Sequence, residues 1–208
     1  MRYTGPKTKL CRREGINLFG SEKYDLSQNH RKPMGSKFGK TSGFGLQLRK
    51  KQTAKRMFGI TERQFASYYK RAVRMQGVTG DNMLSILEGR LDNVVYRASF
   101  ARTIMQARQF VGHAHFIVNG KKVNIPSYQV AVGDVIELRE KMKESPIYKT
   151  LISEFEEFMK ANASGAVTNS KWLEVNPAKL MITVKALPAK EDFDRSIDIQ
   201  KIIEFYSK

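Results

Sequence analysis

The chain has 208 residues, with 37 Lys plus Arg against 20 Asp plus Glu, a net charge of +17 and one cysteine. That length allows one or two domains with a real core, and a single cysteine excludes an internal disulfide and argues against a four-ligand structural zinc site. No stretch approaches the ~18 apolar residues of a membrane span, and Met1–Pro6 has no apolar signal core, so a soluble intracellular protein is expected.

The charge is unevenly spread. Basic residues outnumber acids 19 to 4 up to Gly80, 9 to 7 from Asp81 to Glu144, and stand at 9 to 9 from Ser145 onward. Such a field draws phosphate backbones by counterion release, which favours nucleic acid over a merely solubilising surface or an anionic membrane. Residues 1–43 show no sustained helical or strand period. Their basic clusters are Lys7, Lys9, Arg12 and Arg13, then Arg31, Lys32, Lys37 and Lys40. They read as a disordered arm or as an extension that orders against RNA. From Phe44 to Gly59 the pattern is helical, with Leu46, Ala54 and Met57 as a thin apolar stripe. Arg49, Lys50, Lys51, Lys55 and Arg56 lie outside it with no acid at i+4, a face that repels itself unless an anion covers it. Thr61-Glu62-Arg63-Gln64 is a capping box opening the next helix. Phe65, Tyr68, Tyr69 and Ala72 form its apolar face, read as core rather than as base-stacking platforms. Arg63, Lys70, Arg71 and Arg74 extend the basic surface. Gly77–Asp81 is expected to be a loop.

Between Met83 and Arg97 a single helix is expected, placing Leu84, Leu87, Leu91, Val94 and Val95 inward and Arg90, Asn93 and Arg97 on the opposite side. A second helix runs from an N-cap at Thr103 to a stop at Gly112. Its apolar line is Ile104, Ala107 and Val111, and its polar line Arg102, Gln106, Gln109 and His113. Asn119-Gly120 joins His115–Val118 to Lys121–Asn124 as a hairpin, because both turn positions need positive φ. Tyr128, Val130 and Val132 alternate, Gly133-Asp134 turns, and Val135–Leu138 is a strand. No acid lies between Asp92 and Asp134. The binding candidates here are Arg97, Arg102, Gln106, Arg108, Gln109, His113, His115, Asn119, Lys121 and Lys122, the histidines being either partly protonated phosphate contacts or ordinary polar side chains. Ile147, Leu151, Phe155 and Phe158 predict an amphipathic helix, residues 161–170 a linker, and 172–175 and 181–184 two short strands.

Arg90-Leu91-Asp92-Asn93-Val94-Val95-Tyr96-Arg97, Gln106-Ala107-Arg108-Gln109 and the hairpin through Ile125-Pro126-Ser127-Tyr128 resemble the family of ribosomal small-subunit protein four, bacterial or organellar type. Phe44–Asp81 resembles it as well. The resemblance implies an α+β fold in three parts. These are a basic N-terminal extension (1–43), a helical domain (44–90) completed by residues 160–208, and an inserted RNA-binding module (91–155) of two helices and a hairpin-rich antiparallel sheet. Glu204–Lys208 would fold back beside the N-terminal helices. The implied function is that of a structural constituent of the small ribosomal subunit, which binds the 5′ domain of 16S-type rRNA, nucleates assembly and contributes to translational accuracy. Implied partners are small-subunit proteins three and five, with messenger RNA in relatives that repress their own synthesis. The implied compartment is the cytoplasmic or an organellar ribosome. No cofactor, metal, membrane or small-molecule substrate is implied. Cys11-Arg12-Arg13-Glu14-Gly15, with Thr8 in place of a pairing cysteine, resembles the zinc-free form.

Two other classes share the module. Arg90-Leu91-Asp92 resembles the catalytic Arg-Leu-Asp of pseudouridine synthases, but the 64 residues after Glu144 are too few for their catalytic domain. Asp92 is therefore expected as a helix-surface carboxylate paired with a neighbouring arginine. A stress-response RNA-binding protein is the other class, disfavoured by chain length and by Phe44–Asp81.

Overall fold

A computed structural model describes residues 3, 5–19, 22–24, 26, 42–150, 152–153, 171–176, 179–194 and 196–207. The chain divides into two compact units, Met1–Leu84 with Asp194–Lys208, and Ser85–Phe193.

In the first unit, helix α1 (Lys7–Glu14) ends at Gly15, whose φ of 75° is the left-handed stop a glycine tolerates. This helix lies where no period was expected. Eight residues make barely two turns, and only Leu10 and Cys11 are buried on it, too few for a periodic signal. Helix α2 (Gly43–Met57) starts where the Ser42 hydroxyl accepts from the Gly45 amide at 3.1 Å. Helix α3 (Glu62–Arg74) starts with the Thr61 hydroxyl accepting from the Gln64 amide. Helix α4 (Thr79–Glu88) begins inside the segment expected to be a loop. The C-terminal helix, Ile199–Tyr206, is capped by Asp198 and packs on α2 and α3. Its Ile199 and Ile203 come so close to Gly80 that a Cβ there would lie 3.2–3.3 Å from them. A larger residue at position 80 would push that helix away. Phe65 and Ala72 of α3 are buried, and Tyr69 stacks on Tyr206 at 4.9 Å between ring centroids, consistent with core roles.

The second unit is a helical layer on a five-stranded antiparallel sheet. Helices α5 (Leu91–Arg97) and α6 (Ile104–Gly112) pack against each other. The strands are β1 (Phe116–Val118), β2 (Lys121–Lys122), β3 (Val135–Leu138), β4 (Leu173–Asn176) and β5 (Met181–Val184), in the order β2-β1-β3-β5-β4. Alternation puts Phe116, Val118, Ile136, Leu138, Ile182 and Val184 on one face. There they join Leu91, Val94, Val95, Ala107, Phe110 and Val111 in one core. The hairpin turn is as expected, with Asn119 at φ 49° and Gly120 at φ 76° and Val118 paired to Lys121.

Several expectations are corrected. The helix expected across Met83–Arg97 breaks at Gly89-Arg90. Arg90 is extended there, and the segment after Ile125 stitches the break. Leu91 and Asp92 amides donate to the Tyr128 and Pro126 carbonyls, and the Val130 amide donates to the Gly89 carbonyl. Tyr128–Val132 accordingly forms no strand of the sheet, only an isolated bridge between Gln129 and Arg90. Gly112 is not the left-handed stop of α6. Ala114 is, at φ 56°, with its amide donating to Val111 and the His115 amide to Phe110, a Schellman pattern. Ser99, with the Phe100 amide bonded to Val95, closes α5 in the same way. The segment expected to complete the helical domain from residue 160 contributes β4 and β5, which join the second unit's sheet through β3–β5 pairing. Of the helix expected over 147–158, residues 146–150, 152 and 153 are helical, while Leu151, Phe155, Phe158 and the 161–170 linker lie outside the described residues. So do Arg31, Lys32, Lys37 and Lys40.

Candidate nucleic-acid interface

In the first unit four of the five cations of α2, all but Lys50, are bonded to carboxylates of other helices. Arg49 and Arg56 both donate to Glu14 of α1, whose carboxylate side chain is 1% exposed. Lys51 and Lys55 donate to Glu62 at 2.7 and 2.9 Å. Lys51 is buried, its side chain 6% exposed and its ammonium 4.3 Å from the centre of the Phe205 ring, and so it lies off the exposed face. Tyr206 adds a third donor to Glu62 at 2.6 Å. Burial pushes the Glu62 carboxyl up, but the hydrogen bonds from Lys51, Tyr206 and Lys55 outweigh it and hold the group at about 2. Burial likewise pushes Asp198 up, and Lys201 with the charge of Lys50 brings it below its ordinary value. Sequence spacing missed these partners because they sit on other helices. The usable signal was scarcity: only four acids precede Gly80, so each was a candidate counter-charge.

Helix α3 differs. Arg63, Lys70, Arg71 and Arg74 are all exposed and share one face at i, i+7, i+8 and i+11. None of the four makes an ion pair among the described residues. On α1, Arg13 is exposed and Arg12 half-buried, while Cys11 is buried. Burial pushes the Cys11 thiol up, opposed by the Leu18 amide. Lys7 lies over the Phe19 ring at 5.4 Å.

In the second unit two carboxylates organise the arginines. Asp92 is not on the surface: its side chain is 1% exposed and accepts from Nε and Nη2 of the fully buried Arg90. Arg108 approaches the same carboxylate at 3.5 Å. Burial pushes the Asp92 carboxyl up, against both arginines, which pull it down. Glu88, also 1% exposed, accepts from Asn93 and from Arg97 Nε and Nη2 at 2.9 and 2.6 Å. Arg90 and Asn93 are therefore core residues and not part of an outward polar line. Asp92 is buried and already bonded to Arg90, an arrangement that gives the catalytic reading of Arg90-Leu91-Asp92 no support.

The remaining candidates sort by what they already bind. Gln106 is half-buried and its carbonyl accepts from the Arg102 amide at 2.8 Å. Both ends of the Asn119 amide hold the turn, donating to Asp134 and accepting from the Val135 amide. His115 stacks on Phe110, and its Nδ1 lies 2.8 Å from the Tyr148 hydroxyl. Burial, His113 and Arg139 lower its affinity for a proton, against the phosphate role expected of a charged imidazole. Arg102, Gln109, His113, Lys121 and Lys122 are exposed, and Arg97 and Arg108 half-buried. Among the described residues no group of His, Cys, Asp and Glu could hold a metal, and no helix is long and apolar enough to cross a membrane.

Two family models match this chain, "Ribosomal protein S4/S9 N-terminal domain" over residues 2–88 and "S4 domain" over residues 89–136. Small ribosomal subunit protein uS4 of Heliobacterium modesticaldum is 46% identical over the whole chain and 99% of the relative's length. The proteins of the same name from Hahella chejuensis and Caldicellulosiruptor saccharolyticus are 45% and 46% identical with the same coverage. With its sequence matched over its whole length by these relatives, the chain belongs to the family of small ribosomal subunit protein uS4, whose members are ribosomal proteins and not enzymes.

Proposed function

We propose that this protein is a structural constituent of the small ribosomal subunit that binds the 5′ domain of 16S-type rRNA and nucleates assembly there. In the ribosome it lies beside small-subunit proteins three and five and contributes to translational accuracy. Binding is mainly to phosphates and helix shape, since A-form grooves hide the base edges. The observation that carries this reading is the exposed face of α3, where Arg63, Lys70, Arg71 and Arg74 have no protein counter-charge among the described residues. Four cations on one face are costly to hold together without a polyanion and productive against one.

The test is quantitative binding to small-subunit rRNA and to an unrelated structured RNA across salt concentrations. The wild type should prefer the former, and equal affinity for both at every salt would sink the assembly role. Changing Arg63, Lys70, Arg71 and Arg74 to Ala should weaken binding and flatten the salt dependence by ~0.7–0.9 for each phosphate no longer neutralised. An unchanged slope would remove α3 from the interface.

A further inference from the structure

From Asp81 to Glu144 the basic excess is only two, so the module cannot rely on charge number. Two buried carboxylates there hold half-exposed guanidinium groups. Glu88 grips Arg97 through Nε and Nη2, a two-point contact that fixes the plane of the fork, while 28% of the Arg97 side chain meets solvent. Asn93, donating to Glu88 from within the core, stops the carboxylate from turning. Asp92 is held by Arg90 and meets Arg108, 34% exposed, through one long contact of 3.5 Å, which does not fix the plane of that fork. A mobile arginine loses side-chain freedom when it meets phosphate, whereas a guanidinium held beforehand loses little.

We propose that Glu88 is a positioning residue for phosphate recognition, holding Arg97 in the orientation in which it meets the RNA backbone. This rests on the reading that the chain binds small-subunit rRNA. It inverts the simple electrostatic expectation. Glu88→Gln removes a negative charge and raises the net charge by one, which would tighten binding to a polyanion. Positioning requires that it weaken binding.

The experiment measures affinity for small-subunit rRNA at several salt concentrations for the wild-type protein, Glu88→Gln, Arg97→Ala, the double variant and Arg97→Lys. Folding of each is followed by circular dichroism. Glu88→Gln should bind roughly 2–10-fold more weakly than wild type and cause no additional weakening in the Arg97→Ala background. Arg97→Lys keeps a cation beside Glu88 but cannot form the fork, so it should weaken binding toward the level of Arg97→Ala. That variant decides the matter if Glu88→Gln does not fold. Unchanged or tighter binding by Glu88→Gln, an equal weakening in both backgrounds, or wild-type affinity in Arg97→Lys would overturn the proposal. If the wild type itself shows no preference for small-subunit rRNA over an unrelated structured RNA, the underlying reading fails instead; a wild type that keeps the preference beside an unaltered Glu88→Gln overturns the positioning role alone.

Discussion

Single side chains in this protein are decided by counter-charges remote in sequence. Lys51 belongs by composition to a phosphate-binding stripe, yet it is buried against Phe205 and bonded to Glu62. Lys51→Ala should lower stability by about 1–2 kcal/mol, measured by denaturant unfolding, and leave the salt slope of RNA binding unchanged. A flatter slope would return Lys51 to the interface. Asp92 makes the converse case. Its substitution by Ala strips a buried guanidinium of its carboxylate and should cost ~3–5 kcal/mol, read as a fall in thermal stability. That Asp92 pairs with a neighbouring arginine was legible in the sequence. Its burial was not, because it follows from the break at Gly89 and from carbonyls some 35–40 positions further along the chain.

Among the elements, helix limits were the more readable where a side chain caps them and the less readable where the backbone does. Thr61 and Thr103 mark their helix starts as read from the sequence, while Ser42, which caps α2, was not read there. The ends of α5 and α6 instead place Ser99 and Ala114 in the left-handed region, which favours glycine, so composition pointed to Gly112. The C-terminal helix shows how an element can carry a pH signature. Glu62, which holds Lys51, Lys55 and Tyr206, sits at about 2 in the folded chain against an ordinary 4.5. A depressed folded value means that its contribution is complete above 4.5 and is lost as pH falls toward 2. Acid titration of thermal stability should therefore show a loss below pH 4.5 that is smaller in Glu62→Gln. Parallel curves for the two proteins would remove Glu62 as its source. Because Glu62 is partly exposed, the contribution is modest.

Across the whole molecule, charge number and charge availability diverge. Arg49 and Lys55 on α2 are bonded to Glu14 and Glu62, while Arg63 and Lys70 on α3 are exposed with no ion pair among the described residues. Net charge alone makes the two pairs equivalent. Pairing predicts that Arg63→Ala with Lys70→Ala flattens the salt dependence of rRNA binding by the equivalent of about two phosphates, and that Arg49→Ala with Lys55→Ala flattens it less while destabilising the fold. Equal slopes would show that the internal ion pairs open on binding. By itself the sequence determined the basic first 80 residues, helix α2, the capped helix α3, the Asn119-Gly120 hairpin and, through its motifs, the family and with it the α+β class, since these rest on local propensity, periodicity and motif. Only the tertiary structure decided which cations remain available, that the helix breaks at Arg90, and that β4 and β5 extend the sheet. The physical reason is that burial and ion pairing depend on distance in space. Glu14 and Arg56 are 42 positions apart and Glu62 and Tyr206 are 144 apart, separations at which no helical or strand period carries information.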